Sequence, residues 1–236
     1  MSSRIEGLFL RSTKYAENSL IVDLLTDFHG KRTFSFKGIK NKKNPFVFQP
    51  FHIIEFSCKF NPQKNINLGY SPELCFPVYD IISDIRKTGN ALFLTELLYK
   101  VILKNEPSQK LLFHLKKIIL LFENQDFNSS FSLFFMKEVL TQIGIQPINN
   151  YSSINNCFNI ENGQFLPNTE NTNKNEFPNG LFSELLGMNI DAYEKMKIKK
   201  EERTLIMSLM LNYFNYHAHI DKSEIKSLKV IFSLYD

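Results

Sequence analysis

The hydrophobic period of this chain changes once, near Pro77, and that change constrains the fold more than any other feature. Before Pro77 the apolar residues come in short β-prone runs, and where the pattern is clearest they recur at every second position. Residues 5–12 and 19–26 are two such runs, joined by the polar stretch Lys14-Tyr15-Ala16-Glu17-Asn18, and His29-Gly30-Lys31 signals a turn. Residues 32–37 alternate, with Arg32, Phe34 and Phe36 on one face and Thr33, Ser35 and Lys37 on the other, as a half-buried strand requires. Residues 51–60 read as a long strand with His52, Ile54, Phe56 and Cys58 on one side, and 66–74 as a further strand. After Pro77 the apolar spacing becomes helical, over 81–103, 108–123, 129–143 and 201–220, with faces wide enough to be mostly core.

The reading is therefore α+β: an N-terminal β-barrel over residues 1–78, then an all-α helical domain over 79–236. Five strands in so short a stretch fit a small closed barrel, and the commonest such barrel that binds oligonucleotides is the OB-fold. Residues 149–179 stand apart. Eleven of them are Asn, with Gly163, Pro167 and Pro178 as punctuation, so a long polar insertion with a hairpin near 158–165 is expected.

Charge sharpens the picture. The net charge is +4, but residues 1–43 hold nine Lys/Arg against four acids, so the whole excess sits in the first fifth of the chain. A local positive field suits a polyanion, although a solvated lysine-rich face accounts for the same count. Lys31, Arg32, Lys37, Lys40, Lys42 and Lys43 cluster on one strand and its following loop, with Phe34 and Phe36 interleaved. Single-strand binders combine such cations with aromatic faces. In a chain with 23 Phe, however, these two rings fit barrel core better than stacking platforms.

Enzymatic signals are missing. No phosphate-binding glycine loop, nucleophile elbow or HExxH occurs. His217 and His219 are two apart, which puts them on different faces of a helix. Glu201-Glu202 reads as helix-start electrostatics. Three cysteines, Cys58, Cys75 and Cys157, are too few for a disulfide scaffold or a cysteine zinc site, and they point to a reducing compartment. No apolar run approaches membrane-spanning length, and the start lacks an apolar signal segment. The expectation is a cytoplasmic protein that is not an enzyme and uses no cofactor or metal.

Several segments together are familiar in order and spacing. They are Arg11, Tyr15-x-Glu17-x-Ser19-Leu20-Ile21-Val22, Leu25-Thr26, His29-Gly30-Lys31, Lys37-Gly38 with the basic loop after it, and Gln49-Pro50-Phe51. Near the other end they are Tyr213-Phe214-Asn215-Tyr216-His217 and Ile225-Lys226-Ser227-Leu228-Lys229. In these the chain resembles the RecO family of bacterial DNA repair proteins over almost its whole length.

That resemblance implies a DNA recombination mediator that binds single- and double-stranded DNA and anneals complementary strands. It also implies work with RecR to load RecA onto strands coated by the single-strand-binding protein, contact with that protein's C-terminal tail, and a place at the nucleoid. The DNA-binding residues it suggests, together with the charge pattern, are Arg11, Lys14, Lys31, Arg32, Lys37, Lys40, Lys42 and Lys43. Lys116, Lys117, Lys226 and Lys229 are candidates for a cationic rim around a partner's tail. Many members of the family carry a four-cysteine zinc module in the helical part. Here the 149–179 stretch holds Cys157 alone, so the module is expected to lack zinc and to be held by packing or to be loose. Two other readings stay open: an OB-fold protein–protein adaptor, and an RNA-binding module.

Overall fold

The computed structural model describes residues 3–15, 17–38, 47–104, 109–168 and 177–235. Five strands, β1 (Ser3–Tyr15), β2 (Ser19–Thr26), β3 (Gly30–Lys37), β4 (Ile53–Cys58) and β5 (Ile66–Leu74), close a barrel in the order β1-β2-β3-β5-β4. All neighbours are antiparallel except β3 and β5, which run parallel. This is the OB-fold arrangement, followed by helices. The long strand is β1, which serves two partners: Ser3–Leu8 pairs with β4 and Gly7–Tyr15 pairs with β2. A register shift between Phe9 and Arg11 lets it bend from one partner to the other. The strand expected over 51–60 is shorter, six residues, because Phe51 sits in the left-handed region at φ 64° and Phe60 turns away to stack on His29. The predicted inward face holds: His52, Ile54, Phe56 and Cys58 are buried.

Aromatic rings fill the barrel. Phe34, Phe36 and Phe56 are fully buried, with Phe34–Phe56 and Phe36–Phe56 edge-to-face at 4.7 and 5.2 Å between centroids. The interleaved phenylalanines are therefore core. Gly69 of β5 lies in register with Phe36, and a Cβ there would overlap the Phe36 ring. Closing β5 onto β3 depends on that missing methyl.

The helical period after Pro77 begins with α1 (Tyr79–Ser83), α2 (Ile85–Val101) and α3 (Gln109–Asn124). The single helix read over 81–103 is two, because Asp84 is extended and its carboxylate caps α2 by accepting from Arg86 N at 2.8 Å. The Arg86 guanidinium on the same carboxylate lowers the Asp84 pKa to about 2. Helix ends satisfy each other here. Glu123 of α3 accepts from Asp80 N and Ile81 N at 2.8 and 2.9 Å, covering the start of α1. Lys87 of α2, 1% exposed, donates to the Phe122 and Glu123 carbonyls at 2.7 and 3.3 Å, to the Gln125 carbonyl and to Asp80. Its ammonium thus sits where the carbonyls of α3 run out and the helix dipole is negative. Met1–Phe127 forms one compact unit, so these three helices belong with the barrel.

The second compact unit is Asn128–Asp236. It contains α4 (Phe131–Gln142), a hairpin of β6 (Asn155–Asn159) and β7 (Gln164–Pro167), α5 (Asn179–Gly187), α6 (Lys200–Ala218) and α7 (Leu228–Tyr235). Residues 131–136 of α4 are buried all round, and Tyr193 stacks on Phe134 at 4.6 Å. The described part of the Asn-rich stretch is built from packing and amide bonds. Phe158 meets Phe165 and Phe182 at 5.2 and 4.9 Å. The Asn150 side chain pairs with the backbone of Phe165 in both directions, at 2.8 and 3.0 Å, and Asn179 accepts from Phe158 N. Asparagine here stands in for strand backbone. Among the described residues no helix is long and apolar enough to cross a membrane.

Two substitutions test this construction. Gly69→Ala should overpack the barrel and destabilise the protein by about 1–3 kcal/mol, read as a lower urea midpoint. Lys87→Met should leave buried carbonyls without donors, costing about 1–3 kcal/mol for an orphaned acceptor, again at the urea midpoint. A wild-type midpoint in either variant would remove the corresponding contact from the account.

Candidate nucleic-acid interface

The outer surface of the barrel is laid out by strand register. In β1–β2–β3 the outward positions form three rows: Arg11, Asp23 and Thr33; Thr13, Ile21 and Ser35; Tyr15, Ser19 and Lys37. Beside them β5 contributes Ile66, paired with Thr33, and Leu68, paired with Ser35. Tyr70 follows one position beyond the Phe36–Gly69 pair and is in register with Ser57 of β4. Alternation enforces this: Phe34 and Phe36 point inward and are buried, so their odd-numbered neighbours point outward.

Cations mark two places on this surface. Arg11 and Lys31 converge on Tyr99 of α2. The Lys31 ammonium donates to the Tyr99 carbonyl at 2.7 Å and lies 4.9 Å from the ring centroid, while the Arg11 guanidinium donates to the Tyr99 hydroxyl at 3.1 Å and lies 5.2 Å from the same centroid. Burial, the largest cause, lowers the Lys31 pKa. Asp23 opposes that, and the positive fields of Lys104 and Lys100 add to it. Lys104 also bridges to Lys31 through the backbone. At the other end of the strands Lys37 is exposed on this face, whereas Lys14, in register with Leu20 and through it with the inward Phe36, stands on the opposite side of the sheet; Gly38 N donates to Asn18 O at 2.7 Å, which brings the β1–β2 turn against the start of the basic loop. Lys40, Lys42 and Lys43 lie outside the described residues. Arg32 does not join either place. It packs over the Phe60 ring at 5.4 Å and donates to the His29 carbonyl, in a column where Phe60 stacks on His29 at 3.7 Å.

Acids are segregated. Within the three rows only Asp23 is acidic, and Thr33 donates to it at 2.6 Å. Glu6, Glu55 and Glu73 instead fall in one row across β1, β4 and β5. There Arg4 pairs with Glu55 at 3.0 Å and Lys116 of α3 holds Glu6 at 2.6 and 2.8 Å. Lys116 is thus engaged in joining α3 to the barrel. Lys117 lies over the Phe113 ring at 4.5 Å, and Lys226 and Lys229 are exposed in the second unit. Lys100, Lys104, Tyr99 and Tyr70 were not among the residues picked out by charge. Lys100 and Lys104 are four apart at the end of a helical pattern, but nothing in the sequence ties that end to β3.

A zinc module does not fit these residues. Among the described residues no three His, Cys, Asp or Glu converge. Cys157, alone in its stretch, is half-buried in β6, where the hairpin is fastened by Phe158, Phe165 and Asn150. His217 bonds to the Ile160 carbonyl at 2.7 Å, and His219 ends α6 in the left-handed conformation.

Comparison with known proteins agrees with this layout. Residues 1–71 match the family described as Recombination protein O N terminal, and residues 82–229 match Recombination protein O C terminal. The chain is 23% identical to the DNA repair protein RecO of Flavobacterium psychrophilum, covering 98% of each. It is 26% identical to that of Azobacteroides pseudotrichonymphae over the full length of both. It is 32% identical to that of Leuconostoc citreum over 98 residues, which cover 40% of this chain and 37% of that one. With an OB-type barrel, a helical second part and both halves matched in order, the chain belongs to the RecO family of DNA repair proteins.

Proposed function

We propose that this protein is a recombination mediator whose barrel, residues 1–78, grips DNA through the outer face of β1, β2 and β3. The observation that carries the reading is the separation of charge around the barrel: cations at both ends of that face and a single acid within it, with Glu6, Glu55 and Glu73 gathered elsewhere. Contacts of this kind neutralise phosphates and release counterions without reading base edges, so single and double strands are both substrates and sequence matters little. Annealing follows from the same physics, because two complementary strands meet only when their mutual repulsion is screened. On this reading the protein makes and breaks no covalent bond, needs no cofactor, and acts with RecR to load RecA onto strands coated by the single-strand-binding protein, whose tail it contacts. It works in the bacterial cytoplasm, at the nucleoid.

If about five phosphates of a single strand are contacted, the log–log salt slope is roughly −3.5, and affinity falls about 100-fold between 50 and 200 mM salt. Changing Lys37 to Ala should flatten the slope by about 0.7, the contribution of one lost phosphate contact. Changing Lys40, Lys42 and Lys43 together to Glu should weaken binding further and slow annealing of complementary oligonucleotides, measured with and without RecR. Unaltered slope and annealing rate in both variants, with the fold intact, would remove this face from the mechanism.

A further inference from the structure

The outer face carries more than charge. Ile66, Leu68 and Tyr70 of β5 are 45%, 44% and 54% exposed, and Tyr15 of β1 is 60% exposed. Four large apolar side chains standing in water on one sheet need an explanation, whereas a single one would not. Their places are fixed by register. Ile66 and Leu68 lie beside Thr33 and Ser35, and Tyr70 comes one step past the Gly69 that seats Phe36. Tyr15 reaches the same row through Ser19, whose other neighbour is Lys37. Lys37 thus shares a row with Tyr15, one strand beyond Ser19, and like Tyr70 lies one residue past the last β3–β5 pair. Ile21, in the Thr13–Ser35 row, continues the apolar strip toward β1.

We propose that this strip is a base-stacking platform for single-stranded DNA, with Tyr70 and Tyr15 as its ring contacts and Lys37 on a phosphate. The inference rests on the proposed DNA-binding reading and adds to it a preference for unpaired bases. Charge complementarity selects this occupant over an apolar protein segment. The strip lies between the Arg11–Lys31–Lys104 group and the exposed Lys37, and its only acid, Asp23, is engaged by Thr33. An apolar strip bordered by cations at both ends matches a chain that alternates π-faces with phosphates, as single-strand sites do. A duplex hides its base faces, so it meets the cations only.

The test uses the full-length chain and fluorescence anisotropy with two probes of equal length, oligo(dT) and a duplex. Tyr15→Ala/Tyr70→Ala should weaken oligo(dT) binding about tenfold or more and leave duplex binding within about twofold, with an unchanged salt slope. Tyr15→Phe/Tyr70→Phe should restore single-strand affinity, because the ring is what stacks. A third probe avoids any question of folding: an abasic oligonucleotide of the same phosphate count should bind the wild-type protein about tenfold or more weaker than oligo(dT). Equal affinity for abasic and base-bearing strands would overturn the platform, as would equal losses on single strand and duplex in the alanine variant. Failure of the wild-type protein to bind any of the three probes would instead refute the DNA-binding reading beneath it.

Discussion

Barrel closure in this chain turns on one fit, the Phe36 ring against the space left by Gly69. β3 and β5 run parallel where the other described barrel strands pair antiparallel, and at their junction the ring occupies the volume a side chain on β5 would need. Because Phe36 is driven inward there, Ser35 and Lys37 are driven outward, and the same alternation sets Leu68 and Tyr70 on the solvent side of β5. A shift of one residue would exchange the two faces. The interior packing of three phenylalanines and the exterior arrangement of lysine and tyrosine are therefore a single consequence of register.

The helices that follow are tied to the barrel by ionic contacts as well as apolar ones. Lys116 holds Glu6, and Tyr99 takes Arg11 and Lys31 on its ring and backbone. These contacts distribute charge as well as hold parts together. Lys116 engages Glu6 of the β1–β4–β5 row, Arg4 engages Glu55 beside it, and the outward rows of β1–β2–β3 keep Asp23 as their single acid. Lys87 plays a different part: its buried ammonium ends α3 and touches no outer surface. A count of lysines treats Lys87, Lys116 and Lys37 alike, yet only Lys37 has its charge in open solvent.

That contrast explains what the sequence made legible. Strand and helix positions followed from apolar period, and β2 and β5 fall on the runs 19–26 and 66–74 because alternation and turn residues agree there. The run 51–60 reads as one long strand, yet β4 spans only Ile53–Cys58, since a positive φ at Phe51 leaves no mark in a run of apolar residues. Asp84 splitting one helix into two was likewise hidden, because the break depends on a carboxylate capping a backbone amide. In the candidate site, Arg11, Lys31 and Lys37 are visible as charge. The grouping of Arg11 with Lys31 is not, because Tyr99 and Lys104 reach them across about 70–90 residues of chain. The platform tyrosines were invisible for the same reason: exposure of an apolar side chain is a property of the sheet and not of its neighbours in sequence. The hairpin expected near 158–165 in the Asn-rich stretch is present as β6 and β7, while its fastening by side-chain amides leaves no pattern in the sequence.

The central claim is spatial: DNA lies on the outer face of β1, β2, β3 and β5. Hydrogen–deuterium exchange of the full-length protein, with and without saturating oligo(dT), tests it without any substitution. The account predicts slowed exchange in peptides spanning residues 11–37 and 66–70, with the hairpin at 155–167 unchanged. Protection confined to the second unit, with the barrel strands exchanging as in the free protein, would contradict it.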